Sequence, residues 1–143
     1  MKNVGDILRS KAGGVFTIAP DATVLSAIEL MAEKNIGAVL VMDSDKLVGI
    51  ITERDYARKV FLAGKTSGNT LVKEIMTQNM LFIQTSTTVE ECMALMIENS
   101  VRYLPVIEEG RVIGVISIGN VVNAIISEQN FVIKNLQQYI MQG

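Results

Sequence analysis

Residues 49–55 read Gly-Ile-Ile-Thr-Glu-Arg-Asp, and residues 114–120 read Gly-Val-Ile-Ser-Ile-Gly-Asn. In each stretch an apolar run ends at a hydroxyl side chain, and a carboxylate or an amide follows three residues later. The two stretches are 65 residues apart, and the same offset relates residues 15–60 to residues 80–125 without a gap. A repeat of this length indicates a supersecondary unit that buries its apolar face only against a neighbouring copy.

Apolar periodicity predicts the order β-α-β-β-α in each copy. Both first helices begin at a threonine. In the second copy Thr88 and Glu91 have the spacing of a capping box, whereas the first copy has Thr23 followed by Ser26. The predicted elements are first strands at residues 15–18 and 80–83, helices from Thr23 and Thr88, hairpins at residues 37–51 and 103–116, and second helices from Glu53 and Ile118.

The repeat also predicts the domain boundaries. We expect a first repeat at residues 1–64, a second at residues 65–128 and a helical tail at residues 129–143, with a polar linker at residues 64–70. Residues 72–76 resemble residues 4–8 at an offset of 68, so a short lead-in segment precedes each repeat.

Composition excludes several function classes. A net charge of −2 argues against a nucleic-acid partner. The chain has no histidine, which excludes serine–histidine triads and most zinc sites, so we expect no catalytic residues and no metal. No apolar run reaches the length of a membrane span, and the single Cys92 suits a reducing compartment as a small buried residue. We therefore expect a cytoplasmic location and no membrane partner.

The chain is 49% hydrophobic and only 20% charged, which makes it apolar for a soluble protein. Apolar residues occur near the end of each second helix and in the tail. We expect these faces to be covered in a homodimer.

The segment after the first hairpin is the candidate site. Helix-start N–H groups and the Thr52 hydroxyl can donate to phosphate oxygens, and Asp55 can accept both hydrogens of a ribose diol. Arg54, Arg58 and Lys59 add positive charge beside them, and arginine can bind phosphate bidentately. A structural interpretation stays open: Thr52 is then a helix N-cap, Asp55 complements the helix dipole, and the basic residues form a solvated face.

Three segments together resemble a known family. They are Thr-Glu-Arg-Asp-Tyr-Ala-Arg-Lys at residues 52–59, Glu-Cys-Met-Ala-Leu-Met at 91–96 and Val-Ile-Ser-Ile-Gly-Asn at 115–120. With the duplication, they resemble a tandem pair of CBS domains (a Bateman module), as in the small stand-alone CBS proteins of bacteria. The resemblance covers essentially the whole chain. It implies an α/β (α+β) fold of two β-α-β-β-α repeats packed with pseudo-twofold symmetry.

The resemblance implies an adenosine ligand (AMP, ADP, ATP, NAD(H) or S-adenosylmethionine) bound in clefts between the repeats. By position, Asp55 and Asn120 would hold riboses, and Thr52 and Ser117 would reach phosphates. Arg102 and Tyr103 replace the Arg-His that is usual before Leu-Pro. The remaining implied contacts are the backbones of Thr17, Ile18, Ala19, Phe82 and Ile83 for adenine, and Gly37, Ala38, Leu104 and Pro105 for the pocket lining.

These features favour a regulatory module that binds an adenine nucleotide and signals to an unidentified protein target or through its own oligomer. Two alternatives remain. One is a structural dimerisation module with empty clefts. The other is a nucleotide-processing enzyme with Glu53 or Asp55 as its base, which the lack of histidine and of an activated nucleophile disfavours.

Overall fold

The computed structural model describes residues 2–11 and 14–142, which form two compact units. Unit A consists of Gly14–Leu81, and unit B consists of residues 2–11 and 82–142. In chain order the elements are α1 (Val4–Ser10), β1 (Thr17–Ile18), α2 (Val24–Lys34), β2 (Ala38–Asp43), β3 (Lys46–Thr52), α3 (Glu53–Tyr56), a π-helical turn (Ala57–Phe61), α4 (Val72–Ile75), α5 (Val89–Asn99), β4 (Tyr103–Glu108), β5 (Arg111–Ser117) and α6 (Ile118–Gln142).

The predicted α+β class and both hairpins are confirmed. β2 pairs with β3 and β4 pairs with β5, each antiparallel and each with a bulge at the equivalent place. Thr23 and Thr88 are the N-caps of α2 and α5, and the second forms the predicted capping box with Glu91. Local capping chemistry and apolar period therefore decide where these elements start.

The first strands of the two repeats differ. In unit A, β1 pairs parallel with β2, and the Leu40 N–H donates to the Phe16 carbonyl at 3.3 Å. The residue of unit B that corresponds to Leu40 is Pro105, which has no N–H to donate to the equivalent carbonyl of Leu81. The predicted strand at residues 80–83 is accordingly reduced to a single bridge between Ile83 and Val106.

Each unit contains the body of one repeat, residues 15–60 or 82–125, and the lead-in of the other, which with its flanking residues spans 2–11 or 70–77. In unit A the lead-in of the second repeat bonds to the first repeat: the N–H of Val72 donates to the Ala22 carbonyl at 2.8 Å, and the N–H of Val24 donates to the Thr70 carbonyl at 2.8 Å. The compact units thus divide the chain differently from the sequence repeats.

The same exchange occurs in unit B with the first lead-in. The N–H of Val4 donates to the Thr87 carbonyl at 2.8 Å, and the N–H of Val89 donates to the Lys2 carbonyl at 3.1 Å. Ile7 joins Val4 in the buried cluster of this unit. In unit A the cluster includes Val72 and Ile75 in the corresponding places, so each lead-in completes a core.

Glycines in the two hairpins let the lead-ins approach. A Cβ at Gly49 would lie 2.6 Å from the Met76 sulfur and 3.1 Å from the Thr77 carbonyl oxygen, and one at Gly114 would lie 2.7 Å from a methyl of Leu8. The glycine that opens each seven-residue stretch is therefore explained by packing against a lead-in.

The C-terminal segment predicted as a separate helical tail is continuous with the last repeat. α6 runs as a single helix from Ile118 to Gln142. None of the helices in residues 2–11 and 14–142 is both long enough and apolar enough to cross a membrane.

Substitution of Gly49 tests the packing of the lead-in. We expect Gly49→Ala to lower the free energy of unfolding by about 1–3 kcal/mol, because backbone as well as side chain must move to admit the methyl group. Gly68→Ala is the matched control, since a Cβ there meets no atom within 4 Å. Urea denaturation of both variants makes the comparison, and equal midpoints would contradict this explanation of the glycine.

Cys92 is buried in the core of unit B, as predicted, and burial together with Glu91 and Glu90 raises the pKa of its thiol from 9.0 to about 11. The fold therefore favours the neutral thiol. The stabilisation that comes from keeping this thiol neutral in the folded state is complete below pH 9.0 and is lost as the pH rises toward about 11.

Comparison with Cys92→Ala tests this pH dependence. Relative to that variant, the wild-type protein is expected to lose unfolding free energy through the same pH window. Urea denaturation at several pH values measures the difference, and parallel stability profiles for the two proteins would refute the shifted pKa.

Candidate functional site

In unit A the candidate site is the turn from β3 into α3. The backbone N–H of Asp55 donates to the Thr52 hydroxyl at 3.1 Å, and the backbone N–H of Thr52 donates to Asp55 Oδ2 at 3.0 Å. This reciprocal capping box confirms that Thr52 is a helix N-cap. Because each side chain accepts from the backbone N–H of the other residue, the turn holds both side chains in a fixed orientation.

The second carboxylate oxygen of Asp55 faces two further groups. Asp55 Oδ1 lies 3.0 Å from the Lys59 ammonium and accepts from the Thr77 hydroxyl at 3.4 Å. Lys59 also donates to the Ile75 carbonyl at 2.9 Å. Asp55 is only 8% exposed, so a buried carboxylate is balanced by a half-exposed lysine and by the lead-in that carries Ile75 and Thr77.

Unit B repeats the turn with an amide in place of the carboxylate. The N–H of Asn120 donates to the Ser117 hydroxyl at 3.1 Å, and the N–H of Ser117 donates to Asn120 Oδ1 at 2.9 Å. The turn requires only an acceptor oxygen three residues after the hydroxyl, which is why Asp55 and Asn120 serve equally as caps. They differ in the group that remains: Asp55 keeps a second acceptor oxygen, and Asn120 keeps an NH₂ donor.

The residues proposed to contact adenine divide into two kinds. Ile83 donates its N–H to the Pro105 carbonyl and accepts from the Ile107 N–H, so both of its backbone groups are used within unit B. Ile18 has the equivalent place beside Val41.

In a β-ladder the backbone N–H and C=O groups of successive residues point alternately toward the partner strand and away from it. The backbone groups of Thr17 therefore face away from β2, at the open edge of the sheet. Phe82 corresponds to Thr17 in the repeat, and its side chain is exposed. Ala19 accepts from the N–H of Ala22 in a turn.

The strand starts beside the two turns have matching backbone roles. The carbonyl of Gly37 accepts from the Glu53 N–H at 3.1 Å, and the carbonyl of Arg102 accepts from the Ile118 N–H at 2.9 Å. Ala38 pairs with Thr52, and Tyr103 pairs with Ser117.

The next two residues of β4, Leu104 and Pro105, are buried. Leu104 belongs to the hydrophobic core of unit B, so its side chain is occupied by packing.

A cavity of about 280 Å³ adjoins the turn of unit B. It lies between α1 and the start of α6 and contains both signs of charge, because two lysines and one aspartate line it. The Lys11 ammonium also donates to the Val115 carbonyl at 2.8 Å, and burial lowers the pKa of this lysine. The lining residues are Lys2, Asp6, Ile7, Ser10, Lys11, Asn120, Asn123, Ala124 and Ser127.

A second cavity, of about 570 Å³, lies in unit A between α2 and α3. Arg54 lines it together with apolar side chains of α2 such as Ile28 and Met31, whereas Asp55 is not among the lining residues. Arg54 directly precedes Asp55 and the exposed Arg58 follows it by three residues, but among the described residues it is Lys59 whose ammonium lies against the Asp55 carboxylate.

Sequence reasoning placed Lys59 beside Asp55 only as one of three basic residues. It missed Thr77 as a partner of Asp55, and Lys2 and Lys11 as neighbours of Asn120. The spacing of four between Asp55 and Lys59 was the available signal for the first pair. The other residues belong to the lead-ins, and no local pattern reports which repeat a lead-in packs against.

The comparisons with known proteins give the family. The model of the CBS domain matches residues 4–61 and 72–127. The chain belongs to the CBS-domain family. The two matches follow the sequence repeats and so combine each lead-in with the repeat that comes after it.

Similar CBS-domain proteins cover most of this chain. CBSX3, mitochondrial, a CBS domain-containing protein of Arabidopsis thaliana, is 36% identical over an alignment 149 residues long that covers 98% of this chain and 72% of that protein. A putative signal-transduction protein with CBS domains from Burkholderia ambifaria has a structure with a TM-score of 0.86 and 46% identity, covering 90% of this chain and 96% of that one.

A third similar structure is a hexameric CBS-CP12 protein from bloom-forming cyanobacteria. Its TM-score is 0.75 at 29% identity, and the match covers 84% of this chain and 66% of that one. At least one similar CBS-domain protein is therefore an oligomer.

The duplicated turn supplies a matched test of the Asp55 cap. Asp55→Asn keeps the acceptor oxygen, as Asn120 does, and is expected to stay within about 1 kcal/mol of the wild type because the lost ion pair is partly exposed. Asp55→Ala leaves the Thr52 N–H without its acceptor and should cost about 1–3 kcal/mol. Thermal and urea denaturation measure both variants, and equal losses would show that charge rather than capping matters at this position.

Proposed function

We propose that this CBS-domain protein is a regulatory module that binds adenosine nucleotides at its two turns, one at Thr52 and Asp55 and the other at Ser117 and Asn120. The observation that carries the proposal is the reciprocal capping of a hydroxyl and a carboxylate or amide at the end of the second hairpin strand in both units. The signal-transduction description of the similar Burkholderia ambifaria protein supports the regulatory class.

The turn of unit A is suited to a ribose. A carboxylate has about four acceptor sites, and three of those of Asp55 are used, by the Thr52 N–H on Oδ2 and by Lys59 and Thr77 on Oδ1. One ribose hydroxyl can take the fourth, and the second would replace the Thr77 hydroxyl, whose 3.4 Å bond is the longest of the three. A hydrogen bond to a charged acceptor contributes roughly 1.5–3 kcal/mol. The outward-facing backbone of Thr17 supplies a donor and an acceptor at the edge of the same sheet, which suits a purine edge.

The turn of unit B has different chemistry. The Asn120 NH₂ group is a donor, and Lys2 and Lys11 line the adjoining cavity, so this side favours an anion such as a phosphate, with Asp6 limiting how much negative charge it tolerates. The sequence alone favours unit A as the side that binds both ribose and phosphate through charged residues, because Arg54, Arg58 and Lys59 follow Thr52. Arg54 lines the cavity beside α2, whereas Lys59 contacts the Asp55 carboxylate, and this arrangement favours a ribose site in unit A and an anion site in unit B.

Signal output would follow from binding to the folded state. A ligand that binds only the native protein stabilises it by about 2.7 kcal/mol at a hundredfold excess over Kd. That free energy is available to shift an arrangement of subunits or the affinity for a protein target. The hexameric CBS-CP12 relative supports assembly as the route.

Calorimetric titration tests the proposal with AMP, ATP, NADH and S-adenosylmethionine as probes. The wild-type protein is expected to bind at least one of them. Asp55→Asn should weaken binding roughly 10- to 100-fold through loss of the charged acceptor, while its unfolding midpoint stays near that of the wild type.

The reciprocal variant Asn120→Asp, which keeps its cap but adds negative charge beside the cavity of unit B, should weaken the triphosphate more than the monophosphate. Absence of binding by all four compounds to folded protein would overturn the proposal. Unchanged affinity in Asp55→Asn would exclude the ribose role of that residue.

A further inference from the structure

The second half of α6 exposes large apolar side chains. From residue 129 onward the helix carries a single charged residue, Lys134. An exposed apolar surface of this extent is typical of an interaction site. The exposed residues are Phe131, Val132, Ile133, Leu136, Tyr139, Ile140 and Met141.

Some of these residues belong to a regular pattern that starts earlier in the helix. A seam runs along α6 with alternating steps of four and three, and its exposure rises from 39% at Val122 to 74% at Ile140. This is the heptad period of a coiled coil, in which isoleucines take the first core position. The seam consists of Val122, Ile126, Gln129, Ile133, Leu136 and Ile140.

The seam is not used by the core of its own unit. Val121 and Ala124, on another side of α6, are the residues buried in the hydrophobic cluster of unit B. Val122 and Ile126 are exposed although they lie on the part of the helix that packs on the body. A neighbouring helix could therefore lie along the seam from Val122 to Ile140, about 27 Å at 1.5 Å per residue.

We propose that the seam binds the same seam of a second copy of this chain, as a parallel two-stranded coiled coil. Isoleucine at all three first core positions, together with Leu136 at one of the second core positions, favours two strands. Neither Glu128 nor Lys134 is in the seam, so no like charges meet across it. Including the flanking Val132 and Tyr139, each helix offers on the order of 600–800 Å² of surface, which approaches the roughly 800 Å² per partner of a stable interface.

Gln129 determines the orientation. In a parallel pair Gln129 lies opposite Gln129 of the second copy, and each amide can donate to the other. In the antiparallel register that uses the whole seam, Gln129 lies opposite Ile133, and its amide is buried without a partner at a cost of about 1–3 kcal/mol. A polar residue at one core position is a known means of fixing register.

The proposed pairing does not depend on the proposed nucleotide site, but the helix that carries the seam begins at that site. α6 begins at Ile118, directly after Ser117, and Asn120 lies in its first turn. Two copies joined along the seam therefore hold their Ser117 and Asn120 turns at the same end of the pair.

Disulfide trapping in the full-length chain tests orientation and partner together, with Cys92→Ala as the background so that one thiol remains. Leu136→Cys places that thiol in the seam, where a parallel pair brings equal residues close enough to oxidise. Gln138→Cys is the matched control, since residue 138 is exposed and lies outside the seam, and two such residues are separated by the thickness of the helices.

We expect Leu136→Cys to form a covalent dimer at low micromolar concentration and Gln138→Cys to remain mostly unlinked. Adding Ile133→Lys to the Leu136→Cys chain should reduce linking at least tenfold, while adding Gln138→Lys should not. Equal linking at positions 136 and 138, absence of linking at 136 in folded protein, or no effect of Ile133→Lys would overturn the proposal.

Discussion

The backbone hydrogen bonds between each lead-in and the body of the other repeat are the interaction on which the fold depends. The bond from Val4 to Thr87 in unit B and the bond from Val72 to Ala22 in unit A are both 2.8 Å long. They place apolar side chains of α1 and α4 into cores that a single sequence repeat would leave incomplete. Positions 49 and 114 are occupied by glycine because the lead-ins pack against these strands and leave no room for a side chain.

The same interaction connects the fold to the candidate site. After α4 the chain pairs with β3, where Thr77 exchanges two backbone hydrogen bonds with Ile50. That pairing brings the Thr77 hydroxyl to Asp55 and the Ile75 carbonyl to Lys59. The lead-in thus supplies both a structural bridge and part of the environment of the buried carboxylate. In unit B, Lys11 follows α1 and reaches Val115 of the equivalent strand.

Local patterns predicted the elements well, because the hairpins and helix starts depend on residues close in sequence. Thr88 with Glu91 and Thr52 with Asp55 have capping spacing, and both cap in the structure. The loss of the first strand in unit B could not be predicted from local patterns, because it depends on strand pairing. Pro105 prevents the pairing since the residue at the equivalent place in unit A, Leu40, donates its N–H to Phe16.

The exchange of lead-ins was beyond prediction from one sequence. The offset of 68 distinguishes these segments from the rest of the repeat, whose offset is 65, but it does not indicate which repeat each segment contacts. The identity of Lys59 as the ion-pair partner of Asp55 is similar. Three basic residues follow Thr52 within two turns, and only packing decides which of them turns toward the carboxylate.

Native-state hydrogen exchange of the amides of Val72 and Lys73 is the most direct test of the exchanged lead-ins. In a four-residue helix the first N–H groups have no intrahelical acceptor, so by itself α4 would leave both amides open to solvent. Their bonds to the carbonyls of Ala22 and Pro20 predict strong protection, comparable to that of Ile50 in β3. Exchange of Val72 and Lys73 at the rate of an unstructured chain, while Ile50 stays protected, would contradict the account.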